Sequence, residues 1–309
     1  MIAIDAGTGG AMISSRLQRS LGLGTEQVVV LSADETDAGR SDVLLVGDID
    51  RDRLVRVITP QIRWVHVLST GVDGFPFDLM DDRILTCSRG ASAVSISEFV
   101  LAAMLTFEKR LPEQWISSSD EWRDTQLGQL SGRTLGIVGI GEIGIATAKR
   151  ALPFDMEVLA YRRTSVPAPL PGIKLVRALD HLLETSDHVV VAAPATPATH
   201  RMIGEHEFAT MKQGVHFVNI SRGALVDQDA LLGALDRDHV AMATLDVTDP
   251  EPLPDGHRLY THPRVRVSPH VSWSSQVTAR RSIELFEANV RRYGAGEPLS
   301  GVVDLAEGY

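Results

Sequence analysis

Apolar residues in this chain gather in short unbroken runs, separated by polar punctuation or by segments of helical spacing. The run Leu135-Gly136-Ile137-Val138 lies near the middle of the chain. An unbroken run of that length reads as a strand covered on both faces, as strands of parallel sheets are. Runs of the same kind occur at Met1–Asp5, Val28–Leu31, Val43–Val46, Val65–Leu68, Arg83–Cys87, Glu157–Tyr161, His188–Ala193, Val215–Ile220, Ala241–Asp246 and Val265–Val267. Helical spacing runs through Ala11–Leu21, from Ile96 to Leu105, through Ala146, Ala148 and Ala151, and through Gln228–Leu235. A last helix is predicted over Val277–Tyr293, with Ile283, Phe286 and Val290 on its apolar side. Strands alternating with helices predict parallel α/β architecture. At 309 residues the chain is long enough for two domains. The last helix is expected to return to the first of them, which makes that domain discontinuous.

The central run leads into Gly139-Ile140-Gly141-Glu142-Ile143-Gly144, followed by a helix and a second strand. Three glycines at this spacing have separate tasks. Gly139 permits a tight turn, Gly141 lets backbone approach a pyrophosphate, and Gly144 lets helix pack on strand. The helix start, with Glu142 and Ile143, presents free N–H groups and a positive dipole end to phosphates. Set between a buried strand and a helix, the motif predicts a dinucleotide site.

Composition narrows the class. Hydrophobic residues at 44% and charged residues at 23% are ordinary for a globular protein. A formal charge of −10 argues against nucleic acid as a main partner. The single cysteine, Cys87, excludes an intrachain disulfide and fits a reducing cytoplasm. A nucleophilic role for Cys87 competes with a plain place at a strand end. No run approaches the length of a membrane span, and no secretory signal is expected at the N-terminus. Asp5-Ala6-Gly7-Thr8 looks like the first phosphate loop of sugar kinases, but helical spacing follows where that loop needs a hairpin. Ser69-Thr70-Gly71-Val72-Asp73-Gly74 follows a strand and is expected to precede a helix. Its N–H groups suit an anion cradle, or it is a turn capped by Asp73.

Ligands of open parallel sheets bind beyond the carboxyl ends of strands. Three such ends carry Arg222 in NISRGALVD, Glu251 in DVTDPEP and His270 in SPHVSW. Singly, each has an unremarkable reading as a surface cation, a loop acid or a turn histidine. Behind a dinucleotide fingerprint they suit hydride transfer to a ketone.

From about Val65 to Ala288 the chain resembles the D-isomer-specific 2-hydroxyacid dehydrogenases, a family that includes glyoxylate/hydroxypyruvate reductases and phosphoglycerate dehydrogenases. STGVDG, GIVGIGEIG, NISRGALVD, LDVTDPEP and SPHVSW carry the resemblance, in that order. It implies a Rossmann dinucleotide-binding domain, residues 97–276, inserted into a flavodoxin-like substrate-binding domain, residues 1–96 and 277–309. Both are doubly wound parallel sheets, with the active site in the cleft between them, and the cofactor domains form a homodimer. A catalytic set of Arg222, Glu251 and His270 is implied. Thr70, Gly71 and Val72 are implied to hold the substrate carboxylate, together with Arg222 and His270. Asp246 is implied to bind the cofactor near the nicotinamide, and Ala193, Pro194, Thr199, Ile220, Ser221 and Ser272 are implied to bind the cofactor as well; no metal is implied. In this scheme His270 protonates the carbonyl oxygen of a small 2-oxo acid as hydride arrives, giving the D-2-hydroxy acid. Glu251 favours the imidazolium and orients the ring. Arg222 grips the carboxylate and polarises the carbonyl.

The chain departs from the family pattern at the end of the second strand of the dinucleotide unit. An NAD-preferring site puts an acid there, for the ribose 2′-OH. This chain has Tyr161-Arg162-Arg163-Thr164. Arg162 and Arg163 fit a 2′-phosphate, so NADPH is expected over NADH. Thr248 stands where many members carry an aromatic, and Glu142 where an arginine is common. Two other readings keep the fold: a formate- or phosphite-type dehydrogenase, and a non-catalytic dinucleotide-sensing protein like the C-terminal-binding corepressors. The first usually goes with long N-terminal additions and the second with long flanking tails, and the chain carries neither.

Overall fold

The computed structural model describes residues 1–34, 38–163, 167–168 and 170–309. The chain divides into two compact units, Met1–Ser92 with Ser275–Tyr309, and Ala93–Ser274.

In the first unit, β1 (Ile2–Asp5), β2 (Val28–Val30), β3 (Val43–Val46), β4 (Trp64–Val67) and β5 (Ile84–Cys87) form one parallel sheet in the order β2-β1-β3-β4-β5. The central strands β3 and β4 are buried along their whole length, which is why they are mainly apolar without alternation, His66 in β4 being the exception. Helix α1 (Gly10–Leu21) buries Ile13 and Leu17, and α2 (Arg51–Val57) buries Leu54 and Val57. The expected helix after the Ser69–Gly74 loop is not found. Only a short 3-10 turn at Phe77–Leu79 follows, because Pro76 enters a turn of three residues rather than a run of helical spacing.

The chain comes back to this unit as α9 (Gln276–Ala295), whose start is capped by Ser275 Oγ accepting from Thr278 N at 3.0 Å. Phe286 of α9 lies on Trp64, ring centroids 5.4 Å apart, and on His66 at 5.1 Å. Arg16 of α1 pairs with Glu287 at 2.8 Å. Beneath α9, Trp64 Nε1 donates to Thr86 Oγ1 at 2.8 Å, and His66 bonds Thr86 Oγ1 at 2.7 Å and Ser88 Oγ at 3.2 Å.

In the second unit α3 (Ala93–Lys109) leads to β6 (Thr134–Val138), α4 (Glu142–Ala151), β7 (Glu157–Tyr161) and β8 (Ile173–Val176). Then come α5 (Leu179–Thr185), β9 (His188–Val191), α6 (Glu205–Thr210), β10 (Val215–Asn219), α7 (Gln228–Asp236), β11 (Val240–Leu245), α8 (Arg258–Thr261) and β12 (Val265–Val267). The seven strands are parallel, in the order β12-β11-β10-β9-β6-β7-β8. That order reverses between β6 and β9, the switch point at which doubly wound sheets open a crevice for a ligand. Among the described residues no helix is long and apolar enough to cross a membrane.

The amino ends of β9 and β10 hold a buried polar chain. His188 Nε2 lies 3.2 Å from Glu108 Oε1, His188 Nδ1 lies 3.2 Å from His216 Nδ1, and His216 Nε2 lies 3.0 Å from Thr244 Oγ1. Phe107 stacks on the His216 ring at 4.7 Å. Burial holds His66 down to about 3. Burial, reinforced by neighbouring His188, holds His216 well below the usual histidine range. Each stays neutral in the folded chain but takes a proton in the unfolded chain below about pH 6.5. Their contribution is therefore complete above that pH and is lost as the pH falls toward the folded values. Each group is expected to cost about 1.4 kcal/mol per pH unit below pH 6. Denaturant midpoints at pH 7.5 and 5.5 measure this, and His66→Gln is expected to shrink the difference between them. A difference as large in the variant as in the parent removes His66 from the account.

Candidate active site

The turn after β6 is built as its glycines require. Gly139 has φ of +98°, and a Cβ there would sit 2.5 Å from the Ala193 nitrogen beyond β9. The two strand ends therefore meet at this point, with Gly139 N donating to Tyr161 O at 2.9 Å. A Cβ on Gly144 would lie 2.6 Å from the Gly139 carbonyl oxygen, so α4 starts tightly against the turn. Gly141 has open space where a side chain would be and is exposed. The first intrahelical bond is Ile145 N to Gly141 O at 2.9 Å, which leaves the N–H groups of Glu142, Ile143 and Gly144 as the unpaired first turn. This is a cradle of N–H donors at the positive end of a ten-residue helix, and it suits a pyrophosphate.

At the end of β7, Arg162 is half-buried and its Nη2 donates to Pro167 O at 2.8 Å. Arg163 is exposed, and Thr164 lies outside the described residues. Beyond β9, Ala193 is buried and Pro194 exposed. Thr199 Oγ1 donates to Pro194 O at 2.7 Å and accepts from Thr196 N at 2.8 Å, closing that loop on itself. Ser221 Oγ donates to the Ala193 carbonyl, which joins the segments after β9 and β10, and Ile220 is buried in the core beneath.

Arg222 follows β10. Its carbonyl accepts from Asn219 Nδ2 at 2.9 Å, and its Nη1 donates to Ser221 O at 2.7 Å. The next residue, Gly223, lies so close to the loop after β11 that a Cβ would fall 2.0 Å from the Thr248 carbonyl carbon. Gln228, first residue of α7, bonds both backbone groups of Asp249. The arginine segment and the Glu251 loop are thus locked together by backbone contact. Within that loop Glu251 Oε1 accepts from Thr248 N at 3.1 Å, and Glu251 Oε2 lies 2.9 Å from His270 Nδ1. The pair is about 38% exposed on each side, so it meets solvent and is within reach of a small molecule.

His270 has a positive φ of +52°, a strained conformation for a residue with a Cβ. Asp246 holds it there. The Asp246 carbonyl accepts from His270 N at 2.9 Å, its Oδ1 accepts from Ser268 Oγ and from Val271 N at 2.9 Å, and its Oδ2 accepts from Ser272 N at 2.9 Å. Asp246 is 1% exposed and its carboxylate is engaged on both oxygens by this turn. The carboxylate is thus tied to the turn that carries His270 and Ser272. Among the described residues no group of His, Cys, Asp or Glu has the arrangement of a metal site.

In the first unit the loop after β4 is held by neighbours on β5's exit. Thr70 Oγ1 bonds Ser92 Oγ at 2.9 Å, and Ser88 N donates to Ser69 O at 2.9 Å. Val72 is buried while Gly71 is half-buried. Sequence reasoning did not find Gly223, Gln228 or Ser268 as supports of the site. Gly223 and Ser268 stood in the open inside the NISRGALVD and SPHVSW motifs, whereas Gln228 carried no pattern of its own.

Residues 101–272 match the family model for the NAD binding domain of D-isomer specific 2-hydroxyacid dehydrogenases, more than half of the chain. The chain belongs to this family. A glyoxylate reductase of Thermofilum pendens is 32% identical over 269 residues, which cover 82% of this chain and 78% of that one. A D-isomer specific 2-hydroxyacid dehydrogenase of Xanthobacter autotrophicus, solved with NADPH and MES, is 28% identical over the whole of both chains, with a TM-score of 0.83. An NADPH-dependent glyoxylate/hydroxypyruvate reductase of Sinorhizobium meliloti, solved with NADP and sulfate, is 25% identical at a TM-score of 0.82, covering 100% of this chain and 99% of that one. As a member of the family, this 2-hydroxyacid dehydrogenase is an NAD(P)-dependent oxidoreductase.

The Gly223 contact makes a prediction. Gly223→Ala must force backbone apart rather than move a flexible side-chain end. Overpacking of this kind costs about 1–3 kcal/mol, so the melting temperature is expected to fall by several degrees and turnover at least tenfold. A variant with the parent's melting curve and rate would show that the two loops are not locked at this point.

Proposed function

We propose that this enzyme reduces a small 2-oxo acid of the glyoxylate or hydroxypyruvate type to the D-2-hydroxy acid, with NADPH preferred over NADH. The observation that carries the reading is the Glu251–His270 pair, 2.9 Å between Oε2 and Nδ1. A proton on Nδ1, fixed by the carboxylate, leaves Nε2 as the nitrogen that gives its proton to the substrate oxygen. When bound, the nicotinamide supplies the hydride. Arg222 grips the substrate carboxylate in a two-point fork and draws charge toward the carbonyl oxygen. The N–H groups of Thr70, Gly71 and Val72 take the same carboxylate as an anion cradle. The names of the relatives above favour this substrate class. A homodimer through the cofactor unit belongs to the same reading. Its support within the chain is the segment after α3, where Trp115 is 72% and Trp122 81% exposed, a degree unusual for tryptophan unless a partner covers it.

A turnover assay with NADPH and a panel of 2-oxo acids tests the activity. His270→Ala is expected to lower reduction at least about a hundredfold, the scale of a lost general acid, with NADPH affinity nearly unchanged. Near-normal turnover would remove His270 as proton donor.

The cofactor preference rests on Arg162 and Arg163, in the position facing the adenosine ribose. A charge-assisted bond to phosphate contributes about 1.5–3 kcal/mol, which corresponds to a preference of roughly ten- to more than a hundredfold. Arg162→Asp is expected to reverse the ratio of specificity constants for NADPH and NADH. A native preference for NADH, or an unmoved ratio in the variant, defeats the assignment.

A further inference from the structure

Among the described residues directly after its strands, the first unit carries one basic residue. In 6–9, 31–34, 47–50, 68–76 and 88–92 that residue is Arg89, while Asp34, Asp48, Asp50 and Asp73 are the acids. An edge on which acids predominate repels anions except where a cation and free N–H groups converge. Arg89 stands on this edge, on the segment beside the Ser69–Gly74 loop. β4 and β5 are neighbours with Val67 opposite Cys87, so the segments after them leave the sheet side by side. Four contacts then bind the two segments. Ser88 N donates to Val67 O at 3.1 Å and to Ser69 O at 2.9 Å. Thr70 Oγ1 bonds Ser92 Oγ at 2.9 Å and reaches Ser88 O at 3.5 Å. Arg89 thus sits on a rigid segment fixed to the loop that we read as the carboxylate cradle.

The Arg89 side chain is exposed. It lies near the buried Cys87 thiol, a neutral group that does not balance its charge. Among the described residues no ion pair joins it to an acid, and Asp50 is engaged in capping α2 through Arg53 N at 3.0 Å. The other arginines within this unit's first 92 residues that reach an acid do so closely, as Arg53 does with Asp5 at 3.0 Å and Arg51 with Asp78 at 2.7 Å. A planar guanidinium on a fixed segment at a sheet's ligand edge is suited to two-point recognition of a carboxylate.

We propose that Arg89 sets substrate specificity by reading a second carboxylate, on the side chain of a 2-oxo acid whose first carboxylate is held by Thr70–Val72. Beyond acids of the glyoxylate type, the substrates that Arg89 selects are then short 2-oxo dicarboxylic acids. This rests on the reduction of 2-oxo acids proposed above.

The test uses two isosteric pairs that exchange a carboxylate for a methyl group, oxaloacetate with 2-oxobutyrate and 2-oxoglutarate with 2-oxovalerate. The parent enzyme is expected to favour at least one diacid over its methyl partner in kcat/KM. Arg89→Ala is expected to reduce that ratio about ten- to a hundredfold while leaving the methyl partners nearly unchanged. Arg89→Lys is expected to restore part of it. A ratio that Arg89→Ala does not move overturns the assignment and makes the residue a solvated surface charge. Equal losses for diacids and methyl partners also overturn it, since Arg89 then supports the cradle rather than reading the side chain. Failure of the parent to reduce any 2-oxo acid, glyoxylate included, would instead sink the underlying reading. Calorimetric binding of 2-oxoglutarate and 2-oxovalerate to parent and Arg89→Ala then decides the arginine separately, with equal affinities in both proteins ending the proposal.

Discussion

A buried carboxylate with three donors on it holds the His270 turn of the cofactor unit in place. Asp246 ends β11 and takes hydrogen bonds from Ser268, Val271 and Ser272, while its own carbonyl takes one from His270. A carboxylate removed from water is costly unless bonded, so the turn cannot relax without exposing an unpaired charge. That cost over-determines the turn and sustains the left-handed backbone of His270, which an isolated peptide would abandon. The orientation of the imidazole toward Glu251 follows from this backbone, and Glu251 is itself tied to Thr248. The arrangement is prepared before any ligand arrives, which is what electrostatic catalysis requires.

The parts of the fold legible from sequence were those where burial is complete. β3, β6 and β9 show apolar runs because both faces are covered, and their positions follow from that alone. β8 did not announce itself. It is an edge strand, Ile173–Val176, with only Ile173 buried, so its sequence carries neither a run nor an alternation. Helices α2, α5 and α6 are six or seven residues long, too short for a 3.6-residue period to stand out. Of the site, the order of motifs marked Arg222, Glu251 and His270. The bonds that bring Glu251 to His270, and the near-contact of Gly223 with Thr248, depend on how separate strand ends lie across the sheet, which no single stretch of sequence records. The chain Glu108–His188–His216–Thr244 was hidden for the same reason: its members come from α3 and three strands.

The net charge of −10 looks ill suited to an enzyme whose ligands are anions. Screening resolves this, since exposed charges farther apart than about 8–10 Å interact weakly at physiological salt. What matters is the local field, and each anionic group has its own device. A pyrophosphate would meet a helix start and open backbone at Gly141. A 2′-phosphate would meet Arg162, whose guanidinium is already steadied by the Pro167 carbonyl. Steadying it in advance reduces the side-chain entropy lost on binding, and so raises the share of the charge-assisted bond that appears as affinity. The same reasoning distinguishes Arg222, held against Ser221 O, from a freely rotating surface arginine. On the proposed reading, selectivity among anions would follow from which cations have been immobilised, and at what distance from a strand end.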